Sequence, residues 1–285
     1  MVRKLSILLE MIKFKLTIFA MPFAFTGAFL AARGIPELRV VFWVIVAMVG
    51  ARTAAMGFNR IVDARFDGAN PRTENRAIPA GEVRMSEAWV MVIVAGLLFF
   101  FACFMLNTLT MMLSPVALAL TFFYSYTKRF TAFCHVILGV ALAFSPLGGW
   151  VAVKGSLVGF PWVLSLGVLF WVAGFDTIYA CLDADFDRKI GLYSLPSRLG
   201  SLRAFRLAGL FHVTAFVLFT VTGIVANLHP IYFLGIVLTA AALLYQHRLV
   251  RPDDLTKIHL SFFSMNGIIS VALFGATWLA LLLAP

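Results

Sequence analysis

Two stretches of this 285-residue chain carry acidic side chains at a regular four-residue spacing. In the first, Asn59, Asp63 and Asp67 recur at every fourth position, so on an α-helix they would form one polar stripe. The second stretch repeats the spacing with Asp183 and Asp187. The five-residue segments that begin at Asp63 and Asp183 match at four positions, and basic residues, a proline and a glycine follow each of them. The sequence therefore indicates one structural unit used twice.

Carboxylates at this spacing require a positive partner. Acids at i and i+4 repel each other, and both stripes lie near predicted helix C-termini, where the helix dipole also disfavours anions. Hard divalent cations such as Mg²⁺ bind carboxylate oxygens together with the phosphate oxygens of a substrate. We therefore expect two Mg²⁺ ions and a diphosphate between the stripes, held by Asn59, Asp63, Asp67, Asp183 and Asp187.

Angular position on a helix assigns further residues to this site. At about 100° per residue, Asp176 and Tyr179 share the face of the second stripe, whereas Asp185 lies opposite and is expected to be away from the metal. Arg52 precedes Asn59 by about two helical turns on nearly the same azimuth, which predicts a position deeper in the site. An Asp within an apolar helix costs about 2.5 to 3.5 kcal/mol on insertion scales, which favours a functional role for Asp176.

Basic side chains near the stripes are candidates for binding phosphate oxygens. Each of them alone is equally well explained by the positive-inside rule of membrane proteins. Their proximity to the acids favours diphosphate binding by four of them, which are Arg72, Arg76, Lys128 and Lys189. The single histidines His135 and His212 have apolar neighbours in sequence and are predicted to be hydrogen-bonded packing residues rather than ligands.

The elements that position these residues are membrane helices. Hydrophobic residues make up 62% of the chain and charged residues 13%, which is too apolar for an ordinary soluble domain. The net charge of +10 lies mostly in one set of loops, so it indicates membrane orientation rather than a nucleic-acid partner. Cys103, Cys134 and Cys181 lack CxxC spacing and give no support for a disulfide framework or a zinc site.

The apolar runs predict one all-α domain over residues 1–285, with about nine transmembrane helices at residues 16–32, 38–58, 87–106, 109–126, 132–153, 161–181, 204–226, 230–245 and 260–283. The first run is long for a cleaved signal peptide, which favours a retained span. Nine crossings with a cytoplasmic amino terminus place 19 of the 23 Lys and Arg residues in cytoplasmic loops. The carboxyl terminus is then outside, and both acidic stretches, within residues 59–81 and 176–200, lie at the cytoplasmic mouth.

At these residues the chain resembles the UbiA superfamily of intramembrane prenyltransferases. The family patterns NxxxDxxxD and DxxYAxxDxxxD match residues 59–67 and 176–187, the NPRTxxRxxPxG tail matches residues 70–81, and the KR pair is Lys128 and Arg129. The resemblance implies helices arranged around a central cavity, dependence on Mg²⁺, and transfer of a polyprenyl group from its diphosphate to a small acceptor.

Within the superfamily, ARTAAM at residues 51–56 resembles the bacterial 4-hydroxybenzoate polyprenyltransferase group. That likeness implies an aromatic acid acceptor, either 4-hydroxybenzoate or a related hydroxynaphthoate, in ubiquinone or menaquinone biosynthesis at the bacterial cytoplasmic membrane. No obligate protein partner is implied. The group is expected to carry a Glu-His pair after Lys13-Phe14, whereas Lys15-Leu16 follow here, and this departure bears on the acceptor.

The spacing and the resemblance together predict a mechanism. When the donor ionises, it leaves an allylic cation that aromatic rings can stabilise by up to about 2 kcal/mol in a dry site. An acceptor carboxylate is expected to pair with Arg52 or Arg129. Asp183 is expected to act in catalysis through the metal, and Asp176 to orient the acceptor or receive its proton. The aromatic candidates for stabilising the cation are Tyr124, Tyr126 and Tyr179.

Two other classes of membrane protein also place acids on helices. A divalent-cation transporter needs polar groups continued across the bilayer, whereas these acids cluster at one mouth. A CDP-alcohol phosphotransferase needs an Asp-Gly-x-x-Ala-Arg run, whereas Ala69-Asn70-Pro71 follow Asp67-Gly68 here. Both alternatives are therefore weaker than prenyl transfer.

Overall fold

The computed structural model describes residues 2–13 and 17–284, and within them the chain forms helices and no β-strand. The departure at Phe14, Lys15 and Leu16 lies outside the described residues. The helices are α1 (Val2–Met11), α2 (Thr17–Ala32), α3 (Leu38–Ala69), α4 (Met85–Leu106), α5 (Thr108–Thr127), α6 (Cys134–Lys154), α7 (Trp162–Tyr179), α8 (Ala184–Ile190), α9 (Leu195–Leu199), α10 (Ser201–Val225), α11 (Tyr232–Leu249), α12 (Ile258–Leu260) and α13 (Asn266–Leu282).

Seven helical segments of the described chain are long and apolar enough to cross a membrane. They comprise α3, α4, α5, α6, α10, the run 162–190 and the run 258–282. Helices α2 and α11 lie at the other two predicted spans and are not among the seven. The all-helical membrane fold is thus confirmed, whereas the number of nine crossings and their orientation stay predictions.

Helix α3 is longer than the sequence analysis predicts. The predicted span ends at residue 58, but the helix continues to Ala69, so the whole first stripe lies on regular helix. The polar residues after Phe58 ended the predicted span because they are hydrophilic. They continue the helix, and Asn59, Asp63 and Asp67 among them line a cavity.

The second stretch is less regular than predicted. Helix α7 ends at Tyr179, a 3₁₀ turn covers Ala180–Asp183, and α8 begins at Ala184. The assumption of one continuous α-helical spacing through Asp187 is therefore wrong. The 3₁₀ turn is tighter than an α-helical turn and shifts the direction of the residues that follow it.

Close helix packing builds the scaffold around the site. Helix α2 packs against α6 and α13, α6 packs against α7, and α7 packs against α10, while α3, α4 and α5 form a second group joined to α6. A Cβ at Gly149 would lie 1.9 Å from the carbonyl oxygen of Ala24, and a Cβ at Gly27 would lie 1.9 Å from that of Pro146. Only glycine permits this approach of α2 to α6, as is common in membrane helix pairs.

Candidate active site

A cavity of about 480 Å³ lies among α3, α4, α5, α6, α7 and α8. Its lining on α3 extends from Val44 to Asp67, so the cavity follows that helix for roughly 35 Å. Charged residues line the part near Asp67, whereas Val44, Phe99, Leu106 and Val151 line the rest. One cavity therefore offers both a polar head region and an apolar wall.

Most residues that the sequence predicts for the site line this cavity. All five predicted metal ligands do so, and with them Arg52, Arg72, Arg76, Tyr124, Lys128, Arg129, Asp176 and Tyr179. The two acidic stretches, which come from opposite halves of the chain, therefore lie at one site. Asp185 is exposed and bonded to Arg188, as its predicted azimuth requires.

Two predicted site residues do not line the cavity. Lys189 is exposed, since it follows Asp187 by two residues and so points to the other side of α8. Tyr126 likewise follows Tyr124 by two residues, and its ring packs outside the cavity against Phe58. The geometry therefore gives no support to the diphosphate-binding role predicted for Lys189 or the cation-stabilising role predicted for Tyr126.

The first stripe is held by hydrogen bonds from neutral and basic side chains. Asn59 Nδ2 donates to Asp63 Oδ2 at 2.8 Å. Asp67 is buried, and Arg76 Nη1 donates to its two oxygens at 2.6 and 2.7 Å. Arg60 Nη1 lies 3.6 Å from the same carboxylate. The acids of this stripe therefore already have positive partners on the protein.

The second stripe is held by residues from the first half of the chain. Arg72 Nε donates to Asp183 Oδ1 at 2.8 Å, and Asn70 Nδ2 donates to the same oxygen at 2.9 Å. Asp187 is buried, with Lys128 Nζ 3.1 Å from its Oδ2. The sequence analysis missed Asn70, although it stands at the start of the NPRT run.

Basic side chains of the protein itself supply positive partners for these acids. Within residues 2–13 and 17–284, no group of three or more His, Cys, Asp or Glu residues forms a metal cluster. Each carboxylate instead faces Arg, Lys or Asn. The site nevertheless fits Mg²⁺, since the five candidate ligands all offer oxygen atoms, which this ion prefers.

Two basic residues outside the spans show how charge is balanced at the mouth. Burial is the largest single influence on the pKa of Lys128 and lowers it, but the acidic groups around it, Asp187 first among them, together raise the pKa above its usual value. Lys13 also lines the cavity. Burial, and then the nearby Arg60, Arg76 and Arg72, lower its pKa from 10.5 to about 8. Lys13 is the second residue that sequence reasoning missed; its place just before the first span was the available signal.

Arg52 and Arg129 differ in what they already bind. Arg129 Nη2 donates to the backbone oxygen of Val62 at 2.9 Å and lies 3.8 Å from Asp63. The Nε atom of Arg52 is buried and has no hydrogen-bond partner among the described residues. Arg52 is therefore the more available of the two for an anion inside the cavity.

His135 contacts Asp176, the acid on α7 that lines the cavity. Its Nδ1 is 2.7 Å from Asp176 Oδ2, and the imidazole itself lines the cavity. No spacing in the sequence signals this pair, because 41 residues and a helix connection separate the two. His212 instead pairs with His247, with Nδ1 2.8 Å from Nε2, and does not line the cavity.

Comparisons with known proteins agree with this geometry. The model of the UbiA prenyltransferase family matches residues 20–268. A protein of Shewanella loihica named 4-hydroxybenzoate octaprenyltransferase is 32% identical over 252 residues, which cover 88% of each chain.

Solved structures show the same fold. The apo structure of a UbiA homolog from Aeropyrum pernix superposes with a TM-score of 0.85 at 34% identity and covers 93% of this chain and 97% of that chain. A UbiA homolog from Archaeoglobus fulgidus, bound to DMAPP and Mg²⁺, superposes with a TM-score of 0.73 at 17% identity and covers 97% and 99%. On the family match and the sequence identity to its relatives, this chain belongs to the UbiA prenyltransferase family.

Proposed function

We propose that this protein transfers a polyprenyl group from polyprenyl diphosphate to 4-hydroxybenzoate or a related hydroxynaphthoate and releases pyrophosphate. The observation that carries the proposal is that the two acidic stretches line one cavity whose remaining wall is largely apolar. The name of the Shewanella loihica relative supports an aromatic prenyl acceptor. Such a reaction would serve ubiquinone or menaquinone biosynthesis at the bacterial cytoplasmic membrane, with the amino terminus inside and the carboxyl terminus outside.

The polar part of the cavity suits a diphosphate head group. The Archaeoglobus fulgidus relative binds DMAPP and Mg²⁺. Five side chains would hold Mg²⁺ here, namely Asn59, Asp63, Asp67, Asp183 and Asp187. When bound, the ion would offset the negative charge of the departing pyrophosphate. Arg72, Arg76 and Lys128 already contact these carboxylates and would bind phosphate oxygens beside them.

The apolar part of the cavity suits the isoprenoid chain and the cation it forms. Breaking the allylic carbon–oxygen bond leaves the electron pair on pyrophosphate and the positive charge on carbon. The rings of Tyr124 and Tyr179 line the cavity and would stabilise that charge through their π faces. The apolar wall excludes water, which would otherwise capture the cation before the acceptor does.

The acceptor carboxylate would pair with Arg52. The buried Nε of Arg52 has no hydrogen-bond partner in the described chain, and a guanidinium binds a carboxylate through two parallel hydrogen bonds. With the carboxylate fixed there, the hydroxyl-activated ring would lie in the cavity and attack the allylic carbon. This assignment favours Arg52 over Arg129, which is already bonded to Val62 and faces Asp63.

The test is an assay of the purified protein in lipid nanodiscs. The reactions contain Mg²⁺, geranyl diphosphate and one aromatic acid from a panel that includes 4-hydroxybenzoate and dihydroxynaphthoate, and mass spectrometry identifies the products. We expect a product that has gained one prenyl group and lost one hydrogen. Absence of a prenylated product with every acid would contradict the proposal, and cation flux in liposomes without donor would instead favour a transporter.

A further inference from the structure

Asp176 differs from the other cavity acids in its partner. In the part of the chain that the structure describes, Asp63, Asp67, Asp183 and Asp187 each lie within 4.0 Å of an Arg or Lys nitrogen. Asp176 instead faces the imidazole of His135 at 2.7 Å. It precedes Asp183 by about two turns, which places it toward the apolar part of the cavity. Its side chain is 20% exposed, while that of His135 is 1% exposed.

The hydrogen bonds of His135 define which ring nitrogen carries the proton. The backbone N–H of Leu195 points to Nε2 at 3.4 Å, and an N–H group can only donate. Nε2 must therefore present its lone pair, so the proton of the neutral ring lies on Nδ1. That proton is donated to Asp176 Oδ2. The imidazole thus fixes the orientation of the carboxylate through Oδ2.

Leu195 is itself held in a fixed position. It begins α9, whose N-cap is the buried Ser194. Ser194 Oγ accepts from the backbone N–H of Ser197 at 3.2 Å, and Ser197 Oγ in turn accepts from the N–H of Ser194 at 2.9 Å. This capping box fixes the N–H group that orients His135. The orientation of Asp176 is therefore set through two successive hydrogen bonds that start at α9.

We propose that Asp176 receives the ring proton of the prenylated acceptor and that His135 is the positioning residue that holds Asp176 for this step. The inference rests on the proposed function. After the new carbon–carbon bond has formed, the ring carbon that made it still carries hydrogen. The C–H bond breaks, its electron pair restores the aromatic ring, and the proton goes to the free oxygen of Asp176. A positively paired acid would be a weaker base in this role.

The experiment compares His135→Leu with His135→Asn, using geranyl diphosphate and 4-hydroxybenzoate with or without deuterium at its ring positions. In the wild type we expect ionisation of the donor to limit the rate, which would give an isotope effect close to 1. His135→Leu is expected to lower kcat by roughly ten- to a hundred-fold, to leave the KM for geranyl diphosphate unchanged, and to raise the isotope effect above about 2. His135→Asn retains a donor at the place of Nδ1 and should restore most of kcat.

His212→Asn is the matched control, because it alters another buried histidine that lies outside the cavity. If the role of His135 were purely structural, His135→Leu and His135→Asn would both lose activity, and neither would show an isotope effect. Wild-type kcat in His135→Leu, or a lowered kcat with an unchanged isotope effect, would overturn the inference.

A second measurement does not depend on turnover. Nitrogen-15 NMR of the histidine side chains in lipid bilayers, assigned with His135→Asn, is expected to show protonated Nδ1 and unprotonated Nε2 at His135. Asp176→Asn should shift both signals. The reverse tautomer would overturn the inference even if the protein proves active. If instead the wild type forms no product while the expected tautomer is found, the failure lies with the proposed function and its acceptor.

Discussion

Arg72 and Asp183, which are 111 residues apart in the chain, form a two-point ion pair at the mouth of the cavity. Nε donates to Oδ1 at 2.8 Å, and Nη2 contacts Oδ2. Through this pair the loop after the first acidic stripe reaches the second stripe. The two halves of the chain therefore contact each other at one site through their own side chains.

Replacement of Arg72 by Lys should lower kcat/KM for geranyl diphosphate by about ten-fold or more. Lysine keeps the charge but cannot make two parallel hydrogen bonds to a carboxylate or a phosphate. Steady-state kinetics at saturating acceptor would measure the effect. Arg188→Lys is the control, since Arg188 pairs with the exposed Asp185 outside the cavity. Equal kinetics of both variants would show that the fork geometry of Arg72 is unimportant.

Asp187→Asn and Asp185→Asn form a matched pair on α8. The side chain of Asp187 is buried in the cavity, whereas that of Asp185 is 87% exposed. We expect Asp187→Asn to lose at least about a hundred-fold in activity and to require more Mg²⁺, because a carboxylate ligand has been neutralised. Asp185→Asn should behave as wild type. Titration of activity with Mg²⁺ after treatment with EDTA is the measurement; the same Mg²⁺ requirement in both variants would exclude Asp187 as a ligand.

Arg52→Gln should affect the acceptor and not the donor. Loss of a charge-assisted hydrogen bond to a carboxylate costs about 1.5 to 3 kcal/mol, which corresponds to a roughly ten- to hundred-fold rise in the KM for 4-hydroxybenzoate. The KM for geranyl diphosphate should stay unchanged. Phenol, which lacks the carboxylate, is the control acceptor, because its slow turnover should not respond to the substitution. If the turnover of phenol fell as much as that of 4-hydroxybenzoate, Arg52 would not be the residue that binds the carboxylate.

The lowered pKa of Lys13 predicts that donor binding depends on pH. Its pKa of about 8 lies near physiological pH, and a bound diphosphate favours its protonated form. Donor affinity is therefore expected to be highest below pH 8 and to weaken by about five-fold as the pH rises through 8 and the ammonium is lost. Lys13→Arg, which stays charged, should remove this step. Persistence of the step in Lys13→Arg would assign it to another group.

The same group affects stability with the opposite sign. In the unfolded chain Lys13 keeps its usual pKa of 10.5, so the folded protein binds fewer protons between pH 8 and 10.5. Protonation of Lys13 thus destabilises the ligand-free fold below pH 8, and this cost disappears as the pH rises toward 10.5. The measurement is the thermal unfolding temperature of the ligand-free protein as the pH is raised from 8 to 10.5. Lys4→Met serves as an exterior control.

The sequence by itself determined the membrane class, the two acidic stripes and most of the charged residues that line the cavity. These features are local, since hydropathy and four-residue spacing depend on neighbours along one helix. Arg52 and Asn59 line the same cavity for the same reason, because α3 is regular between them.

Only the tertiary structure decided which charges meet. The pairs Arg72–Asp183 and His135–Asp176 join residues far apart in the chain, and no periodicity encodes such contacts. The structure also places Lys189 and Tyr126 outside the cavity lining, because a two-residue offset along a helix turns a side chain to the opposite face. Spacing along a helix fixes which face a residue occupies. The helices that pack against that face determine which side chain its charge contacts.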